Sequence, residues 1–234
     1  RGFLLEHEVY DMLEAAGIAA PRRFYINKGD RPDGRLLREL GSGECVVKVV
    51  SPLIQHKTDV GGVAFVPAEP GAVERACRSM LESLPDKFAR WVSRFEAGEK
   101  RDPDASGEDV AASVRGFLVM EKVEFEKSGF GQELLLGIRN SREFGPVLTM
   151  GVGGLDVEYV SDRLKEGTAL AIASAHLLQG KNILRLLSSL AVYDKLIREC
   201  RGRPPLLSAE SLVETFGRMQ ALAAHFSAFN PDGG

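Results

Sequence analysis

A lysine stands in the middle of an apolar run, Val46-Val47-Lys48-Val49-Val50. Close behind it come His56, Lys57, Thr58 and Asp59, then the Gly61–Gly62 pair, then a second apolar run opening at Val63. An ammonium group inside a β-like run loses hydration unless an anion or another partner meets it. The bland alternative is a lysine whose stem lies along the strand and whose head reaches water. Glycines let backbone N–H groups turn toward an anion without interference from a Cβ. A lysine beside a glycine-bearing loop is therefore a means of holding a polyphosphate. His56 adds an imidazole, which accepts a phosphoryl group if it is exposed, neutral at nitrogen and in line with the phosphate. A loop histidine that binds nothing would have the same sequence. Asp59 either orients Lys57 or caps the turn through its carboxylate, and we favour the turn.

Further along, Glu133 opens an apolar run, where a strand-end carboxylate is often merely solvated. Gly151-Val152-Gly153-Gly154 follows another apolar run, and G-x-G-G alone is equally consistent with an ordinary strand-to-loop bend. Asp156 and Glu158 alternate in period two and so share one face of a strand, toward a metal or toward solvent. Arg139 and Arg142 flank a turn-like Asn140-Ser141 and read as surface residues, with phosphate or partner contact as the alternative. His7, His176 and His225 read as structural or surface groups.

Several elements must position these residues. Leu5, Val9, Leu13 and Ala16 recur at helical spacing, predicting a helix over 5–16 that stops at Gly17. Residues 27–34 read as a loop. Strands are expected at 45–50, 63–66, 117–120, 134–138 and 147–150, with a further short one over 168–173 and Ser174 as the cap of a helix behind it. A helix starting at Glu69-Pro70 carries Val73, Ala76, Cys77, Met80 and Leu84 on one side. From Pro85 to about Gly107 the composition turns charged, with glycine and proline, and predicts a mobile or partly helical excursion. Ser208 is placed to cap a long helix with a stripe of Leu212, Phe216, Met219, Ala223 and Phe226. Strands interspersed with helices predict an α+β protein with mainly antiparallel pairing.

Composition narrows the function. A chain of 234 residues buries roughly 70–75% of its unfolded surface and needs no disulfide or metal staple. A formal charge of −3 argues against a nucleic-acid surface. Cys45, Cys77 and Cys200 lack metal or redox spacing and read as free thiols of a reducing, cytoplasmic compartment. No apolar run reaches the roughly 20 residues of a membrane-spanning helix, and no signal peptide is visible. The chain starts at Arg1 rather than Met, which reads as a processed or excised segment.

The order AGIAAP, VVKVVSPLIQHKTDVGGV, FLVMEKV, QELLLGIRNSREFGPVLTMGVGGLDVE and RGRPP resembles the ATP-grasp domain of NDP-forming acyl-CoA synthetases, the ADP-forming acetate–CoA ligases. It is similar, more distantly, to the β-subunit of succinyl-CoA synthetase. The resemblance implies an ATP-grasp fold, two α+β lobes around a nucleotide cleft. The lobes would be 1–114, containing the helix and a mobile segment near 85–110, and 115–234. It implies that Lys48 contacts nucleotide phosphates and that the loop of His56, Lys57, Gly61, Gly62 and Val63 lies over them. Glu121 and Val123 would offer backbone groups to adenine. Glu133 would bind the ribose hydroxyls, and Gly153 and Gly154 would make a second phosphate-side turn. His56 matches a histidine thought to relay phosphate in some members.

Two departures stand out. The family holds Mg²⁺ with an E-x-N-P strand near its C-terminal end, whereas Ala228 precedes Phe229-Asn230-Pro231 here. The R-x-A-P-L segment expected after GGLDVE is replaced by Leu170-Ala171-Ile172-Ala173-Ser174. The expectation is an ATP-grasp fragment without its metal-binding end, with no metal ligands of its own and the Mg²⁺ ligands lying beyond residue 234. The implied reaction converts a carboxylic acid, ATP and CoA to acyl-CoA, ADP and phosphate, with a CoA-binding domain or subunit as partner. No nucleic acid or membrane takes part. The alternatives are a degenerate nucleotide-sensing or assembly module and a regulatory domain fused to an acyltransferase.

Overall fold

The computed structural model describes residues 4–54, 56–95, 107–124, 133–153, 167–178, 181–199 and 204–225. The chain divides into two compact units, one of Arg1–Glu14 with Ala19–Glu124, the other of Ala15–Ile18 with Phe125–Gly234.

The first unit is built on a four-stranded antiparallel sheet of β1 (Arg23–Asn27), β2 (Glu44–Val50), β3 (Val63–Pro67) and β4 (Gly116–Glu121), in the order β1-β4-β2-β3. The β-branched run of β2 makes it a central strand, and the period of two divides its side chains between two faces. Cys45, Val47 and Val49 point to a core formed with Leu37 of α2 (Gly34–Glu39), with α3 (Pro70–Phe95) and with Val110 of α4 (Gly107–Ser113). Val46, Lys48 and Val50 take the opposite face. There Val46 and Val50 pack with Leu5, Leu118 and Met120, and Tyr10 of α1 (Glu6–Ala15) lies against the same cluster. Lys48 pairs with Val63 on one side and with Leu118 on the other.

Two boundaries are sharpened in this unit. The helix begun at Pro70 does not give way at Pro85 but runs to Phe95. Proline inside a helix costs about 3 kcal/mol. Burial of Leu84 and Phe88, worth about 1.5–3 kcal/mol each, offsets this, and Trp91 packs against the same core. The loop expected over 27–34 is present, bounded by Asn27 at the end of β1 and by α2, which starts at Gly34 with Asp33 as its cap, its carboxylate accepting the Arg35 N–H at 2.7 Å.

The second unit carries a three-stranded antiparallel sheet of β5 (Leu134–Ser141), β6 (Gly145–Val152) and β7 (Leu170–Ser174), in the order β5-β6-β7. The helices α5 (Lys181–Leu187), α6 (Tyr193–Ile197) and α7 (Ala209–His225) accompany it, and α7 packs on β6 and α5. Leu212, Phe216, Met219 and Ala223 form the buried stripe of α7, and Ser208 caps it by accepting the Ser211 N–H at 3.0 Å. Phe226 lies outside the described residues. Ser174 does not cap a helix. It ends β7, and its hydroxyl donates to the Phe144 carbonyl at 3.4 Å.

Candidate nucleotide-phosphate site

Lys48 leaves the middle of β2 on the α1 face, and its partner comes from inside the chain. Its ammonium donates to Oε1 of Glu6 at 2.6 Å, and Lys57 Nζ stands 3.1 Å from the other oxygen, Oε2. All three side chains are mostly buried, with 23%, 21% and 19% exposure for Lys48, Glu6 and Lys57. Burial pushes the Glu6 carboxyl up, but the hydrogen bonds and charges of Lys48 and Lys57 outweigh it and hold the group below its ordinary value. Tyr10, one helical turn along, donates its hydroxyl to Glu6 Oε1 at 3.3 Å. Burial, then the nearby Glu6 charge, raises its phenol to about 12.

Glu6 is the residue that reading the sequence for chemistry missed. The apolar repeat of α1 drew attention to Leu5, Val9 and Leu13. The polar pair Glu6 and Tyr10, at i and i+4, marks the side of the helix turned to Lys48. A paired lysine on a β-strand with a carboxylate opposite is legible only when the fold brings them together.

The loop between β2 and β3 turns on itself. Gly61 adopts a φ of +68°, its N–H donates to Thr58 O at 3.1 Å, and the Gly62 N–H donates to Lys57 O at 2.6 Å. A Cβ at Gly62 would stand 2.5 Å from Cγ1 of Val49. These glycines therefore serve close packing and a tight turn, and their amides are spent inside the loop rather than turned to an anion. Lys48 and Lys57 bring positive charge to the Glu6 side of this region, and the Lys87 side chain of α3 lies over Gly61. His56 and Lys57 diverge although they are neighbours: Lys57 reaches Glu6, while the His56 ring stacks over Trp91 of α3 with centroids 5.9 Å apart. His56 Nδ1 stands 3.9 Å from Asp59 Oδ2, with both side chains half exposed.

Glu121 closes β4 against Arg22. The Arg22 N–H and Nε donate to its two carboxylate oxygens at 2.8 Å each, and the Glu121 N–H donates to Arg22 O at 2.9 Å. Those hydrogen bonds hold the Glu121 carboxyl below its ordinary value. Val123, just past the strand, is exposed. In the second unit Glu133 and Gly153 come together, the Gly153 N–H donating to Glu133 O at 2.7 Å. A Cβ on Gly153 would meet the Leu134 carbonyl carbon at 2.9 Å, so glycine is what this approach requires. Gly154, Asp156, Glu158, Cys200, Ala228, Asn230 and Pro231 lie outside the described residues.

Among the described residues no three His, Cys, Asp or Glu side chains cluster as a metal site would require. Nor is any helix among those residues long and apolar enough to cross a membrane.

A family model described as an ATP-grasp domain matches residues 1–93 and 102–230. The chain belongs to the ATP-grasp domain family. ATP-grasp domains bind nucleotide, and the chain's helices and antiparallel sheets are the mixed α+β architecture of that fold. It is 28% identical over 199 residues to the acetate–CoA ligase [ADP-forming] of Methanocaldococcus jannaschii, covering 85% of this ATP-grasp chain and 23% of the relative. It is 25% identical over 159 residues to the β subunit of acetate–CoA ligase [ADP-forming] I from Pyrococcus furiosus, covering 68% of this chain and 56% of that one. The chain thus spans well under two thirds of the length of these relatives. Among solved structures, Ca. Korarchaeum cryptofilum ACD1 in complex with coenzyme A shares the fold, with a TM-score of 0.65 and 24% identity over 96% of this chain and 81% of that one.

Proposed function

We propose that this ATP-grasp domain is the nucleotide-handling part of an ADP-forming acyl-CoA synthetase. It would exchange a phosphoryl group between ATP and a histidine while the whole protein converts a carboxylic acid, ATP and CoA to acyl-CoA, ADP and phosphate. The observation that carries the reading is the convergence of Lys48 and Lys57 on the two oxygens of one carboxylate, at 2.6 and 3.1 Å. Two ammonium groups set for neighbouring oxygens of one anion are suited to a phosphate as well. The relatives from Methanocaldococcus and Pyrococcus, both named ADP-forming acetate–CoA ligases, support the reaction class.

Phosphoryl transfer asks mostly for positioning and for neutralisation of charge on the phosphate oxygens. Lys48 and Lys57 supply that charge. The accepting imidazole attacks phosphorus, the bond to the ADP oxygen breaks, and ADP leaves as a phosphohistidine forms. His56 is our candidate for a relay of that kind, and its exposed ring beside Asp59 supports the choice. Glu121 and Val123 are assigned to adenine, Glu133 to the ribose, and Gly153 and Gly154 to the second phosphate-side turn. We take the lobes as the two compact units, so that the second begins after Glu124 rather than at residue 115, because β4 belongs to the first sheet. The partner is a CoA-binding domain or subunit, and the compartment is the cytoplasm, where ATP and CoA are held. Mg²⁺ accompanies the nucleotide in this proposal.

The test is an assay of the whole protein for acyl-CoA formation from short and aromatic carboxylic acids with ATP and CoA. The reading expects ADP and phosphate as co-products and a loss of about a hundredfold or more with Lys48→Ala. Formation of AMP and pyrophosphate, or full activity in the variant, would overturn it.

A further inference from the structure

We infer that Glu6 is the positioning residue of the phosphate site, holding Lys48 and Lys57 at a fixed spacing rather than competing with phosphate for them. The inference rests on the nucleotide reading above. A lysine ammonium has three N–H donors, and Glu6 engages one from each lysine. Two donors on each lysine remain for an incoming phosphoryl oxygen. Lysine side chains are rich in rotamers, so a site built from two of them binds weakly unless they are ordered in advance. A carboxylate bridging both supplies that order and leaves the trio with a net positive charge.

A carboxylate that only filled the site until phosphate arrived would need freedom to withdraw. The helix that carries Glu6 is instead fixed at several points. Leu5, directly before it, is buried in the cluster with Val46, Val50, Leu118 and Met120. Arg23 of β1, whose side chain is only 8% exposed, binds Asp11 at 2.6 Å and Glu14 at 2.9 Å, both on α1. The same guanidinium lies 5.0 Å over the Tyr10 ring, and the Tyr10 hydroxyl donates back to Glu6 Oε1. Strand β1, helix α1 and the carboxylate form one connected support under the two ammonium groups.

The experiment titrates the full chain with ADP, and with adenosine as a phosphate-free control, in the wild type and in Glu6→Gln, Glu6→Asp, Lys48→Ala and Lys57→Ala. Trp91 fluorescence in urea checks that each variant is folded. Glu6→Gln removes the charge and should weaken ADP binding about tenfold while leaving adenosine binding unchanged, a split that a merely structural role would not produce. Glu6→Asp, shorter by one methylene, should fall between Gln and the wild type and stands in for Gln if that variant unfolds. Removing a negative charge would by itself favour an anionic ligand, so the sign is decisive. Unchanged or tighter ADP binding in Glu6→Gln, with Lys48→Ala weakened, would overturn the inference while sparing the site. Unchanged ADP binding in both lysine variants would overturn the site reading, and the inference with it.

Discussion

Replacing Lys48 should destabilise the first unit even with no nucleotide present. At 2.6 Å and an effective dielectric of 20, the attraction between Lys48 and Glu6 is about 6 kcal/mol before the loss of hydration is counted. Fully buried pairs lose about 3–5 kcal/mol when one partner is removed, and exposed pairs lose about 0–1. These side chains are 23% and 21% exposed, and Glu6 keeps Lys57 after the substitution, so an intermediate loss of about 2 kcal/mol is expected for Lys48→Met. Glu6→Gln strips Lys57 of its carboxylate as well, so the double variant Lys48→Met/Glu6→Gln should fall below the single one. It should lose about 1 kcal/mol less than the sum of the two single losses, since both singles break the same pair. The chain's single tryptophan, Trp91, lies in the same unit and reports its unfolding alone. With a urea slope of about 2 kcal/mol per molar, the single variant should lower the midpoint by about 1 M. Equal midpoints for wild type and Lys48→Met, with no coupling in the double-mutant cycle, would refute the ion triad on which the site is built.

Further predictions concern the same unit. Gly62→Ala should cost about 1–3 kcal/mol by urea unfolding, because its methyl would strike Cγ1 of Val49 at 2.5 Å. A neutral effect would show that the loop rearranges. The Glu6 carboxyl is held below its ordinary value, so its contribution to stability is present above the unfolded carboxylate range and is lost as pH falls through the lower, folded value. Acid unfolding of Glu6→Gln should accordingly be flatter than that of the wild type below about pH 4. An identical acid profile would count against the pairing. Burial raises the Cys77 thiol to about 12 and raises Cys45 as well, so neither should react with a disulfide reagent at pH 8 in the folded chain. Rapid labelling of the buried Cys45 or of the half-buried Cys77 would refute this.

Much of this architecture was legible in the residues. The strands around Lys48 and around Leu118 stood out because β-branched and apolar runs are bounded by turn residues. The α7 stripe stood out because four of its positions repeat at helical spacing behind a serine cap. The features that escaped reading had physical causes. The continuation of α3 through Pro85 runs against a strong local signal, and only the packing of Leu84, Phe88 and Trp91 on a distant sheet overrides it. Short elements such as α2 and α6 span too few turns for periodicity to show. Lys48 was visible as an anomaly in its strand, but its partner is not. The Glu6–Tyr10 pair marks a polar side of α1, but no local pattern says that this side will face Lys48. The Gly61–Gly62 pair has the composition of an amide cradle, and the fold uses those amides to close the turn.

The central claim is that Lys48 and Lys57 form a phosphate site on the first unit. Calorimetric titration of the chain with ADP, in the wild type and in a folded Lys48→Ala variant, tests it most directly. The account predicts saturable binding by the wild type and at least tenfold weaker binding by the variant. Equal affinities in the two proteins would contradict it.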